Sequence, residues 1–129
     1  MNPDTDIPAA TDQRLLILVV DDEFDVAATY GMLFEFHGYR VMTAGNGHDA
    51  LALAAAEPPA LVMSDFMMPI MNGAELCRRW RADPALAAIP FILTSAGMAQ
   101  LGDVPYDLFL RKPVPIDYLL KEIERLTQA

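Results

Sequence analysis

A chain of 129 residues, 53% hydrophobic and 21% charged, is long enough for one domain with a single closed core, and its composition is that of a folded globular protein. Eighteen acidic against nine basic residues give a formal charge of −9, which disfavours binding to nucleic acid phosphates or to anionic membranes and leaves a protein partner or a cation. A single cysteine excludes an internal disulfide, and the apolar run Leu15 to Val20 is too short to span a bilayer and lacks the flanks of a signal peptide, so the expected location is cytoplasmic.

Residues 1–13 carry Pro3, Pro8 and several Asp and Thr without apolar periodicity, which predicts a flexible lead-in to a domain over residues 14–128. The run Leu15 to Val20 reads as a first strand. Asp21 and Asp22 follow it, then helical periodicity from Glu23 to His37, which Gly38 ends. A second strand, Arg40 to Ala44, leads into a helix from Gly47 to Glu57 stopped by Pro58 and Pro59.

The third strand, Ala60 to Ser64, delivers Asp65, and the turn signal Met68-Pro69-Ile70-Met71-Asn72-Gly73 precedes a helix from Gly73 to Ala82. A fourth strand spans Phe91 to Thr94. After it a short helix is predicted near Gly97 to Leu101, in a stretch that Gly97, Gly102 and Pro105 make a poor helix former. The fifth strand, Asp107 to Arg111, delivers Lys112. A final helix from Ile116 to Leu126 places Ile116, Leu119, Leu120, Ile123 and Leu126 on one face. Five strand and helix pairs in strict alternation predict an α/β fold, a parallel sheet with helices on both faces.

In such a sheet ligands bind beyond the carboxyl ends of the strands, and there the sequence delivers Asp21, Asp22, Asp65, Thr94 and Lys112. Three carboxylates repel one another unless a cation sits among them, and hard oxygen donors suit Mg²⁺. A carboxylate beside a divalent ion, an ammonium and a hydroxyl can attack a phosphoryl group, with Asp65 as the natural nucleophile.

The segments LVVDDE, VMSDFMMPIMNG, FILTSA and FLRKPV, each behind its own strand, resemble the four signatures of the response-regulator receiver family of two-component signalling. The resemblance covers about Leu15 to Val114, and the final helix completes it. It implies a CheY-like single domain with a doubly wound, flavodoxin-like (βα)5 three-layer sandwich, its parallel five-stranded sheet ordered 2-1-3-4-5, here with a shortened fourth helix.

By resemblance, Asp65 is the phosphoacceptor, and Mg²⁺, for which Mn²⁺ can substitute, is held by Asp21, Asp22, Asp65 and the backbone carbonyl of Met67. Lys112 would contact the phosphoryl oxygens, Thr94 would swing toward them, and Phe109 would be the aromatic switch, without the hydroxyl of a tyrosine. The Lys112–Pro113 bond is expected to be cis. The family implies a histidine kinase or phosphotransfer protein as phosphodonor, a downstream protein partner, a monomer or weak dimer, and no enzyme activity beyond its own phosphorylation and dephosphorylation.

Two departures stand out. Thr94 and Lys112 are closer in sequence than in typical members by about one helical turn, ~4 residues, which puts a standard dimer through the fourth helix in doubt. Met67 and Ala96, two places beyond the acceptor and the switch threonine, cannot orient a water by hydrogen bonding.

Each residue also has a plainer reading. Asp21 and Asp22 suit a helix cap, Thr94 a strand end and Lys112 a solvated surface. Met32, Met42, Met63 and Met98 read as core or surface filler, His37 and His48 as exposed helix-end residues, and Cys77 and Trp80 as buried neighbours on one helix face. The main rival function is a receiver-like binding module that signals without phosphate. A haloacid dehalogenase-like phosphatase would need a second aspartate where Met67 stands.

Overall fold

The computed structural model describes residues 12–97 and 101–128. The strands are β1 (Leu16–Val20), β2 (Arg40–Ala44), β3 (Leu61–Asp65), β4 (Phe91–Ser95) and β5 (Leu108–Arg111). The helices are α1 (Phe24–Phe36), α2 (Gly47–Ala56), α3 (Gly73–Ala82) and α4 (Ile116–Thr127). All strand pairs are parallel, in the order β2-β1-β3-β4-β5, so β3 lies at the centre.

Alternation along the strands separates two cores. Leu18, Val20, Val62, Phe91 and Leu93 face one side with Leu76, Cys77 and Trp80 of α3. Ile17, Val19, Leu61, Met63, Ile92 and Leu110 face the other with Phe34 of α1 and Leu119 and Ile123 of α4. Both faces of the sheet are covered, which is why the strands read as continuous apolar runs rather than alternating ones.

The helix starts have local causes. The side chains of Asn46 and Asn72 accept the backbone N–H groups of Asp49 and Glu75 at 2.8 and 2.9 Å, caps of about 1 kcal/mol each. Gly38, at φ 96, follows the end of α1 as expected.

The end of β3 differs from expectation. Asp65 is the last residue of β3 rather than the residue after it, because Asp65 pairs with Thr94 and the next N–H, of Phe66, donates to Thr94 O at 2.7 Å. The ladder on the neighbouring strand carries a polar residue along.

The expected short helix near Gly97 to Leu101 lies mostly on residues 98–100, outside the described residues. Among those described, residues 101–107 contain no helix: Gly102 takes φ 57, Val104 is buried, and short turns link Val104 to Leu101 and Tyr106 to Val104. Residues 1–11 of the expected lead-in are likewise outside the described residues, and Asp12 pairs with Arg14 at 2.7 Å. Among the described residues no helix is long and apolar enough to cross a membrane.

Candidate functional site

The sheet delivers its polar residues to one edge. Asp21 follows β1, Asp65 ends β3, Thr94 and Ser95 end β4, and Lys112 follows β5. Carboxylate oxygens of Asp21, Asp22 and Asp65 lie within 4.8 Å of one another. Asp21 and Asp65 are 4% and 7% exposed, whereas Asp22 faces solvent.

Asp21 serves two partners. One oxygen accepts the N–H of Glu23 at 2.9 Å and the other accepts from Lys112 Nζ at 2.9 Å; the N-cap of α1 is Glu23, without a side-chain cap bond, so neither Asp21 nor Asp22 caps the helix. The same ammonium is 3.4 Å from Asp65 Oδ1.

Burial raises the Asp65 carboxyl above its ordinary value; Lys112 opposes that shift and the charge of Asp21 adds to it. Burial alone would lower Lys112, but its hydrogen bond to Asp21 and the charges of Asp21 and Asp65 outweigh it, so the ammonium is held above its ordinary value. One ammonium among three carboxylates leaves two negative charges uncompensated. That surplus, together with an all-oxygen donor set, fits a hard divalent cation such as Mg²⁺ or Mn²⁺.

Of the remaining expected residues, Thr94 pairs with Asp65 in the sheet and Met67 shares a cavity lining with Asp22, while Phe109 packs on the first core. Thr94 is buried, and its hydroxyl donates to Ser64 O across a long 3.4 Å. Ser95 is buried as well, its Oγ accepting from Gly97 N at 3.3 Å. Met67 is 64% exposed and, with Asp22, Phe66, Met68, Pro69 and Asn72, lines an open cavity of about 460 Å³. Phe109 is half-buried against the first core and 6.0 Å from the Tyr106 ring. The Lys112–Pro113 bond is cis.

Sequence reasoning missed two contributors. Gly73 was read as the end of a turn and the first residue of a helix, yet a Cβ there would stand 2.4 Å from Asp65 O and 2.6 Å from Leu93 Cδ1. Tyr30 of α1 is half-buried, and burial raises its hydroxyl, with Lys112 opposing and Asp21 and Asp65 adding. Nothing in its spacing marks it, since helical periodicity assigns it to the core.

The residues set aside behave as expected where described. His37 and His48 are exposed, and Met32 is exposed while Met63 is core; Met98 lies outside the described residues. Cys77 is fully buried, which pushes its thiol up to about 11, and Trp80 packs on Phe91 in the same core.

Comparisons with known proteins bear on the whole of this arrangement. A family model described as "Response regulator receiver domain" matches residues 17–124. Protein PilH of Pseudomonas aeruginosa is 35% identical over 113 residues, 83% of this chain and 93% of PilH. The gliding motility regulatory protein of Myxococcus xanthus is 34% identical, but the chain spans only 17% of its length, and it spans 49% of response regulator MprA of Mycolicibacterium vanbaalenii, at 36% identity. Among solved structures, the signal receiver domain of a signal transduction histidine kinase from Syntrophus aciditrophicus has a TM-score of 0.82 at 30% identity, covering 88% of this chain and 89% of that one. Chemotaxis response regulator CheY4 of Vibrio cholerae has a TM-score of 0.80 at 28% identity, covering 88% of this chain and 99% of that one.

Proposed function

Because the chain belongs to the response regulator receiver family, we propose that Asp65 accepts a phosphoryl group from the phosphohistidine of a histidine kinase or phosphotransfer protein, and that a protein partner reads the resulting change of shape or receives the group in turn. The observation that carries this reading is the convergence of Asp65 with Asp21, Asp22 and Lys112 at the carboxyl edge of the sheet.

In the transfer, an oxygen of Asp65 forms the new P–O bond as the donor's P–N bond breaks. Asp21, Asp22, Asp65 and the Met67 carbonyl would hold Mg²⁺, which when bound neutralises charge on the phosphoryl oxygens. Lys112, already 3.4 Å from Asp65, adds a second positive charge on the same side. The Thr94 hydroxyl is held by one long hydrogen bond and is free to turn and donate to a phosphoryl oxygen. Ser95 leaves room there, being small.

The arriving group adds about −1.5 to −2 units of charge at neutral pH to a site that already carries a surplus of acids. Thr94 and Lys112 are the groups able to answer it, and their movement shifts the balance between two shapes of the strand ends they belong to.

Acetyl phosphate with Mg²⁺, followed by intact mass, tests the reading. One phosphoryl adduct on the wild-type chain and none on Asp65→Asn is the expected result. No adduct on the wild type, with no binding of beryllofluoride either, would overturn it in favour of a binding module that works without phosphate.

A further inference from the structure

The methionines close to Asp65 in sequence differ sharply in exposure. Met63, Met68 and Met71 are 3%, 8% and 2% exposed and belong to the two cores, whereas Met67 is 64% exposed. A peroxide oxidises a thioether at sulfur and must reach it, so Met67 is open to attack where its neighbours are not. Cys77, buried and with its thiol pushed up to about 11, is shielded from the same oxidant. Met32, the other strongly exposed methionine among the described residues, lies eight positions beyond Phe24, roughly 12 Å along α1 from its pocket end.

Met67 also occupies a particular place. It stands two residues beyond Asp65 and shares an open cavity of about 460 Å³ with Asp22, whose carboxylate lies within 4.8 Å of that of Asp65. The other side chains of that lining give a water little to bond to. Phe66, Met68 and Pro69 are apolar, and the side-chain oxygen of Asn72 already accepts the N–H of Glu75 at 2.9 Å. The thioether of Met67 is itself only a weak acceptor.

Oxidation changes that one property. The sulfur lone pair attacks a peroxide oxygen, an S–O bond forms as the O–O bond breaks, and the products are the sulfoxide and water. Sulfur gives up two electrons and the peroxide takes them. The side chain now ends in a strongly polar oxygen that accepts hydrogen bonds. An acceptor at this place can take one O–H of a water and turn its lone pair toward a phosphorus on Asp65.

We propose that Met67 is a site of reversible oxidation by peroxide, and that its sulfoxide shortens the life of a phosphoryl group on Asp65. The chain then responds to an oxidant as well as to a phosphodonor. The effect on lifetime rests on the reading of Asp65 as acceptor; the oxidation itself does not.

The full chain is treated with hydrogen peroxide, freed of it, and labelled with acetyl phosphate at saturating Mg²⁺. Peptide masses locate the added oxygen, and intact mass follows loss of the phosphoryl group once the donor is removed. Met67 is expected to take up oxygen ahead of Met63, Met68 and Met71. The phosphoryl lifetime of the oxidised chain is expected to be about tenfold shorter, less than the ~100-fold of a general base because the sulfoxide orients the water without taking its proton. Methionine sulfoxide reductases should restore the original lifetime. Met67→Leu keeps the size of the side chain and removes the sulfur, so its lifetime should be the same before and after peroxide although Met32 is still oxidised.

Oxidation of Met63, Met68 or Met71 before Met67 overturns the site. A lifetime unchanged when Met67 is oxidised, or shortened equally in Met67→Leu, overturns its effect on the acceptor. No adduct on the untreated wild type overturns Asp65 as acceptor and the effect on lifetime with it, while the peptide masses still decide whether Met67 is the residue oxidised.

Discussion

Lys112 Nζ stands 2.9 Å from Asp21 Oδ2 and 3.4 Å from Asp65 Oδ1, so the lysine that faces the proposed acceptor is hydrogen-bonded to that residue's neighbour. The ammonium is therefore beside both carboxylates with no phosphoryl group present.

Lys112→Met leaves three clustered carboxylates without their cation. Removing one partner of a buried pair costs about 3 kcal/mol, so melting temperature is expected to drop by roughly 10 °C or more in chelator. Added Mg²⁺ should restore more of that loss in the variant than it adds to the wild type, because the ion is then the only positive charge in the pocket. Labelling by acetyl phosphate should fall as well.

The raised carboxyl of Asp65 has a signed consequence for stability. An acid whose native value lies above its unfolded one binds more protons when folded, so stability falls as pH rises from the ordinary carboxyl value through the raised one. Asp65→Asn removes that loss. At neutral pH without divalent ions its melting temperature is expected to exceed the wild type's, with the gap closing at acid pH below the ordinary carboxyl range. Melts across that pH range check the sign.

Gly73→Ala would drive a methyl into the carbonyl of Asp65, which is backbone in the central strand and cannot give way. A destabilisation of about 2–3 kcal/mol is expected, together with slower phosphoryl uptake, since relief of the clash moves Asp65. Equilibrium urea unfolding and the acetyl phosphate adduct measure the two effects.

Met67 has a thioether where a polar side chain could hold an attacking water, so the acyl phosphate is expected to be long-lived. Met67→Asn should shorten the lifetime of the phosphorylated chain by about tenfold, less than the ~100-fold at the low end for a general acid or base, because an amide orients the water without taking its proton. Faster loss from the wild type than from the variant would contradict this.

Ile70 is 96% exposed at φ 70, a left-handed conformation that a β-branched residue enters at a cost of about 1–2 kcal/mol. Ile70→Gly is expected to stabilise the fold by about 0.5–1 kcal/mol after the larger unfolded-state entropy of glycine is set against it, without loss of the adduct. Chemical unfolding and intact mass report the two outcomes.

Much of this was legible in the sequence because the signals are local. Asp21, Asp22, Asp65, Thr94 and Lys112 each sit at the end of an apolar run, and parallel strands bring such ends together. The β3 boundary was missed because Asp65 joins the ladder through Thr94, a residue of another strand. Gly73 was missed for the same reason. Its tight approach involves Leu93, twenty positions away, and no short window along the chain contains both.

With a hydrogen-bonded neighbour on either flank, β3 cannot peel away as a margin strand can, and its amides open only when the sheet comes apart. Asp65, the proposed nucleophile, thus stands on ground that breathes far more slowly than the loops around it. How long a phosphoryl mark persists is therefore a question of water and local chemistry over one oxygen, insulated from the everyday loosening of the rest of the molecule.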